Sequence, residues 1–195
     1  MSNAVLKAPP PSMSLAEFLQ WPGDGSAKHH ELVDGVVRAM APAAATHGII
    51  QARLAYLFTR RLDEDKRRCS VMTEGAVVPR LRANMNLRVP DLVVTCVPIA
   101  QGQITVPEPV LLVEILSLSN EMETREKVWV YSTIPSVREI LLVHSTRASA
   151  ELFRRDPKGD WPEEAETISA GQMLRLDSID LTCALAEVYT STHLA

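Results

Sequence analysis

Three residues have the types and spacing for hydrolytic chemistry: Asp91 in Arg88-Val89-Pro90-Asp91-Leu92-Val93-Val94, Glu114 in Leu111-Leu112-Val113-Glu114-Ile115-Leu116, and Lys127 shortly downstream. Both acids interrupt strongly apolar runs, where an ionised group is costly unless a partner or a metal compensates it. Carboxylate oxygens together with retained waters are what Mg2+ or Mn2+ prefers. Two such acids on neighbouring strands, with a lysine on the next segment, form a metal-dependent phosphodiester-cleaving arrangement. The ion polarises a phosphoryl oxygen and activates water, and the lysine orients that water or meets charge in the transition state. Each acid alone has a plainer reading, Asp91 as a turn residue after proline and Glu114 as the partner of an arginine. The combination favours chemistry.

The elements around them must supply the geometry. If the two acid-bearing strands pair antiparallel with Asp91 opposite Glu114, Val97 falls opposite Glu108 and the loop between closes naturally. Opposed β-carbons lie roughly 4.5–5.5 Å apart. Like charges that close need a bridging cation or a shared proton, and the Ile115 carbonyl offers one more oxygen ligand. Lys127 falls about two turns into a helix expected from Glu121 to Ile134, with Asn120 and Glu123 as a capping box and Pro135 as its stop. Upstream, Ser14 caps a short helix ending before Pro22-Gly23, and Asp34-Gly35 marks a hairpin within Glu31–Met40. A long helix follows from Thr46 to about Lys66, with Ile50, Leu54, Leu57 and Phe58 as its apolar stripe. Further strands are expected at Ser70–Val78, Leu92–Val97, Val110–Leu116, Val137–His144 and Ser149–Arg155, and the stretch from Trp161 reads as a polar, acidic tail that becomes apolar again near Leu181 to Tyr189. The pattern is one α/β domain over residues 14–195, preceded by a loose tail over residues 1–13.

Several function classes are set aside. No apolar run approaches the roughly 18 to 20 residues of a membrane helix, and a net charge of −4 argues against a surface that grips nucleic acid everywhere. Neither a Gly-x-Ser-x-Gly elbow nor a Gly-rich phosphate loop is present. Cys69, Cys96 and Cys183 are scattered and odd in number. They read as buried free thiols in a reducing, cytoplasmic protein. Local basic residues remain: Arg80, Arg82 and Arg88 in the loop before Asp91 suit phosphate-backbone contacts. His47, opening the long helix, is placed to touch a phosphate or the metal site, or else to cap and pack. His29 and His30 read as solvent-exposed, and Trp129 and Tyr131 as core or interface residues.

An ordered set of motifs also resembles a known family. Glu31-Leu32-Val33-Asp34-Gly35, His47-Gly48, Val89-Pro90-Asp91-Leu92-Val93-Val94, Val113-Glu114-Ile115-Leu116-Ser117, Lys127 with Tyr131, and Pro135-Ser136-Val137-Arg138-Glu139-Ile140 follow the order of the Uma2-like (DUF820) family of the PD-(D/E)xK superfamily. The resemblance spans about Glu31 to Val143. It implies a restriction-endonuclease-like core, a mixed central β-sheet flanked by helices, with Mg2+ or Mn2+ held by Asp91 and Glu114. It implies that Lys127 replaces the superfamily lysine ordinarily two residues after the glutamate, where this chain has Leu116, and that Glu31 supports the site or a second metal. The stretch Ser117-Leu118-Ser119-Asn120 departs from the family's usual Ser-Pro-Ser-Thr. A homodimer is a further implication, since two sites can cut two strands. The resulting expectation is a metal-dependent endonuclease acting on DNA in preference to RNA. The rival is a nuclease-fold protein with weak catalysis, serving as a nucleic-acid-binding or assembly module.

Overall fold

Asp34 and Gly35 both take positive φ, 49° and 85°, the backbone a type I′ turn requires, and they fold β1 (His30–Val33) onto β2 (Val36–Ala39). The computed structural model that shows this describes residues 12–26, 28–117 and 121–195. Before the hairpin lies α1 (Leu15–Gln20), capped by a reciprocal Ser14–Glu17 box. Met13 packs with Leu32, Leu87 and Val89 beneath it. After the hairpin runs α2 (Ala45–Glu64), whose Ile50, Leu54, Leu57, Phe58 and Leu62 are buried. Each such side chain stabilises the fold by about 1.5–3 kcal/mol relative to exposure.

The central sheet has six strands in the order β3 (Ser70–Thr73), β4 (Leu92–Thr95), β5 (Pro109–Leu116), β6 (Glu139–His144), β7 (Ser149–Arg154) and β8 (Glu166–Ser169). All neighbours are antiparallel except β5 and β6, which run parallel because α3 (Glu121–Ser132) crosses over between them. Alternation along β5 splits the core. Leu111, Val113 and Ile115 face α2, while Leu112 and Leu116 face α3 with Val128, Tyr131, Ile140 and Leu142. Glu114 shares the parity of Leu112 and Leu116, which puts it beneath α3. That helix buries only Thr124, Val128 and Tyr131, so polar contacts carry more of its attachment than they do for α2. β9 (Met173–Leu176), β10 (Leu181–Ala184) and α4 (Leu185–Val188) close the α2 face through Leu174, Leu176, Leu181 and Val188.

Sequence expectation and structure differ at definite places. The apolar run from Ser70 is strand only to Thr73. Glu74 then takes φ 54°, and Gly75 is pressed so closely that a Cβ would lie 2.5 Å from Val93 Cγ1. Val77 pairs instead with Arg88 through two backbone hydrogen bonds of 2.8 and 2.9 Å. A bulge between Val94 and Thr95 sets Thr95 opposite Pro109, so the pairing of Val97 with Glu108 does not form. Cys69 and Cys96, flanking the paired strands β3 and β4, are joined in a disulfide, and Cys96 is exposed; only Cys183 is the buried free thiol expected. His30 packs edge-on against Trp21 beside Asp24 and is not exposed. The segment after Trp161 is no tail but three strands and a helix. The Asn120 cap lies outside the described residues.

Candidate active site

The register that pairs Leu92 with Val113 and Val93 with Leu112 sets Asp91 opposite Glu114, as the sequence spacing suggested. Asp91 follows Pro90 at the mouth of β4 and is held from three directions. Its Oδ2 accepts the Ile115 N–H at 2.6 Å, its Oδ1 lies 2.9 Å from His47 Nε2, and its carbonyl accepts from Gln51 Nε2 at 2.8 Å. His47 and Gln51, one turn apart on the same face of α2, therefore fix the strand start from below. Burial pulls the His47 imidazole toward its neutral form. The hydrogen bond to Asp91 and the charges of Asp91 and Glu114 outweigh that pull and raise its pKa.

Across from Asp91, Glu114 is buried beneath α3, with Oε1 2.5 Å from the donating Tyr131 hydroxyl and 3.4 Å from Lys127 Nζ. Lys127 Nζ also donates to Glu31 Oε1 at 3.0 Å, which accepts the Val89 N–H at 2.8 Å. One carboxylate from the hairpin thus ties the segment before Asp91 to the helix over Glu114. Burial pushes the Glu114 carboxyl up to about 7; Lys127 opposes this, while the charges of Asp91 and Glu31 add to it. Burial alone would lower Lys127, but Glu114 and Glu31 hold its ammonium well above the usual lysine range. The Tyr131 phenol is raised far above its ordinary value, chiefly by burial, and stays a donor.

Three carboxylates therefore crowd one sheet end; burial is the main cause of the upward shift of Glu114, and repulsion from Asp91 and Glu31 adds to it. Lys127 already meets part of that crowding, and the hard oxygen donors on offer are of the kind that could also hold a divalent cation. Among the described residues no group of three or more His, Cys, Asp or Glu side chains forms a ready metal cage. An ion here would be held by Asp91 and Glu114 with water completing its shell.

The basic loop divides. Arg88 turns inward, its Nη1 3.9 Å from Glu31 Oε2, and is almost fully buried. Arg82 is exposed in a left-handed turn and pairs with Asp34 at 3.5 Å. Arg80 is exposed beside the C-terminal end of α3, its backbone N–H donating to Thr133 Oγ1. Asn86 is not free for substrate: its amide bonds Asp34, Leu81 and Arg82 and clamps the hairpin turn. Sequence reasoning missed Gln51 and, beyond its place beside Lys127 in the motif set, read Tyr131 as a core or interface residue. The available signal was the i, i+4 spacing, which puts Gln51 on the face of His47 and Tyr131 on the face of Lys127. Trp129 is exposed.

With the geometry in place, comparison with known proteins is informative. Residues 15–186 match the family model Uma2, described as "Putative restriction endonuclease". The "Uncharacterized protein slr1290" of Synechocystis sp. (strain ATCC 27184 / PCC 6803 / Kazusa) is 32% identical over 184 residues, covering 93% of this chain and 94% of that protein. A solved structure from Anabaena variabilis ATCC 29413, described as "a putative nuclease belonging to DUF820", superposes with a TM-score of 0.72. It is 16% identical and covers 91% of this chain and 98% of its own, a likeness of fold.

Proposed function

Because this chain belongs to the Uma2 family, we propose that it is a divalent-metal-dependent endonuclease that hydrolyses phosphodiester bonds, in DNA before RNA. The observation that carries the proposal is the convergence of Glu31, Glu114 and Lys127 within 3.0–3.4 Å contacts, with Asp91 fastened to the residue after Glu114. Asp91 and Glu114 are the ligands. Mg2+ or Mn2+ would supply a Lewis acid for the phosphoryl oxygen and lower the pKa of the attacking water. Lys127 donates to that water or to a phosphoryl oxygen as negative charge builds. Glu31 keeps Lys127 aimed and cationic, so its role is positioning. His47 and the Ile115 N–H hold the Asp91 carboxylate in one rotamer, and Tyr131 does the same for Glu114. Arg80 and Arg82 are surface contacts for flanking phosphates.

Asp91→Asn and Glu114→Gln should each abolish Mn2+-dependent cleavage while leaving the circular dichroism spectrum unchanged. Full activity in either variant would falsify the mechanism.

A second reading keeps the fold and drops the catalysis, making the protein a nucleic-acid-binding or assembly module. The net charge of −4 and the near closure of the site, with Lys127 at 13% side-chain exposure, favour it. Mn2+ calorimetry followed by cleavage assays on DNA and RNA separates the two, since the module needs neither metal uptake nor turnover. A homodimer that presents two sites to two strands belongs to the first reading, and sedimentation velocity tests it. No helix among the described residues is long and apolar enough to cross a membrane. Cytoplasmic placement is part of the same proposal and now rests on the nucleic-acid substrate, because the Cys69–Cys96 bond removes the argument from free thiols.

A further inference from the structure

Leu32 and Leu87 exchange backbone hydrogen bonds of 2.9 Å in each direction, which sets Glu31 directly across from Arg88 in the same antiparallel register. Leu32, Leu87 and Val89 point the other way, into a small core with Met13. Arg88 is therefore driven to the face that carries Glu31 and Lys127, and its side chain is only 9% exposed there. The 3.9 Å approach to Glu31 Oε2 is too long for a hydrogen bond, and Nε is buried with no partner. A guanidinium cannot shed its charge, so a buried fork with idle donors is a receptor for an acceptor that arrives from outside. Planar N–H pairs match tetrahedral oxyanions, and Lys127 stands on the other side of Glu31 as a second cation.

We infer that Arg88 is a catalytic residue that clamps a non-bridging oxygen of the reacting phosphodiester, a duty separate from that of the exposed Arg80 and Arg82. This rests on the nuclease reading and deepens it: on substrate binding the guanidinium gives up its loose contact with Glu31 and donates to phosphate.

The test uses a fluorescent DNA duplex titrated against Glu114→Gln, which binds without cutting, and against Glu114→Gln/Arg88→Gln. Loss of the clamp should weaken binding by about tenfold and reduce the slope of log K against log salt by about one phosphate contact. In the otherwise unaltered enzyme, Arg88→Gln should slow single-turnover cleavage by about 10²–10³-fold. Arg88→Lys should recover the salt slope but not the rate, since it restores the charge without the fork. In the unsubstituted side chain, the Arg88 Nε–H NMR signal, assigned through bonds, should move when the duplex binds; that reading does not depend on how any Arg88 variant folds. Equal affinity, slope and rate in the Arg88 variants, or an unmoved Nε–H signal on a protein that binds and cuts, overturns the clamp alone. A wild-type protein that neither binds nor cuts DNA or RNA overturns the nuclease reading and this inference with it.

Discussion

Glu114 and Glu139 are buried glutamates on adjacent parallel strands, 4% and 1% exposed, and the fold treats them oppositely. Glu139 is saturated. Its Oε1 accepts from Arg154 Nε at 2.8 Å and the Asp177 N–H at 3.0 Å; its Oε2 accepts from the Ser178 N–H at 2.8 Å and Ser178 Oγ at 2.5 Å. Among the described residues Glu114 receives one hydrogen bond, from Tyr131, and stands near two other acids. Glu139 fastens the start of β6 to the segment after β9. Glu114 is left with a charge that burial, Asp91 and Glu31 oppose and that Lys127 and Tyr131 offset only in part. Burial of a carboxylate is therefore no mark of a site, but incomplete satisfaction among like charges is. Glu151, on the face of Glu114 and opposite Leu142, belongs with Glu139: Arg125 grips both its oxygens at 2.6 Å, and His144 lies 2.9 Å from one of them.

Substitution should separate these acids sharply. Glu114→Gln is expected to cost at least ~10³-fold in single-turnover cleavage, on the scale of losing a transition-state charge contact. Its unfolding free energy should stay within about 1 kcal/mol of wild type, because the charge removed was opposed by burial. Glu139→Gln should do the reverse. Chemical denaturation should show a loss of about 3 kcal/mol, as expected when a buried ion pair is broken, while the cleavage rate per folded molecule is unchanged. A Glu139 variant that folds well but does not cut would collapse the distinction.

Tyr131→Phe sharpens it from the other side. Without its hydroxyl donor, Glu114 should bind Mn2+ about 10–100-fold more weakly by calorimetry, the usual cost of losing a group that orients a ligand. Unchanged Mn2+ affinity would leave Tyr131 as packing alone. The smallest effect concerns Glu151, whose pKa is lowered by the Arg125 hydrogen bond against the opposing pull of burial, with help from His144. A lowered folded-state pKa means stabilisation that is present above the ordinary value of 4.5 and is lost as pH falls through the lower folded value. Thermal melts should therefore show an acid-side decline that Glu151→Gln flattens, with neutral-pH cleavage retained.

Much of this was legible before any coordinates. Asp34-Gly35 dictated its turn because two positive φ angles tolerate few residue types, and the α2 stripe and the Asp91–Glu114 register followed from periods of 3.6 and 2. The rest depended on partners that no local pattern announces. Glu139 interrupts an apolar run just as Glu114 does, yet its donors at Asp177 and Ser178 lie 38 and 39 positions away. β8 and β9 escaped notice because their buried residues are few and widely spaced: Ile168 in one, Leu174 and Leu176 in the other. Cys69 and Cys96 meet only because β3 and β4 pair, a tertiary fact. Arg88 looked like its loop neighbours until the Leu32–Leu87 pairing fixed the face it occupies.

If Asp91 and Glu114 hold a catalytic cation, nicking of supercoiled plasmid must depend on both the ion and the two acids. With and without Mn2+, the wild type and Glu139→Gln should show Mn2+-dependent cleavage, and Asp91→Asn and Glu114→Gln none. Cleavage that is independent of metal, or that survives either of the latter two substitutions, would contradict that role.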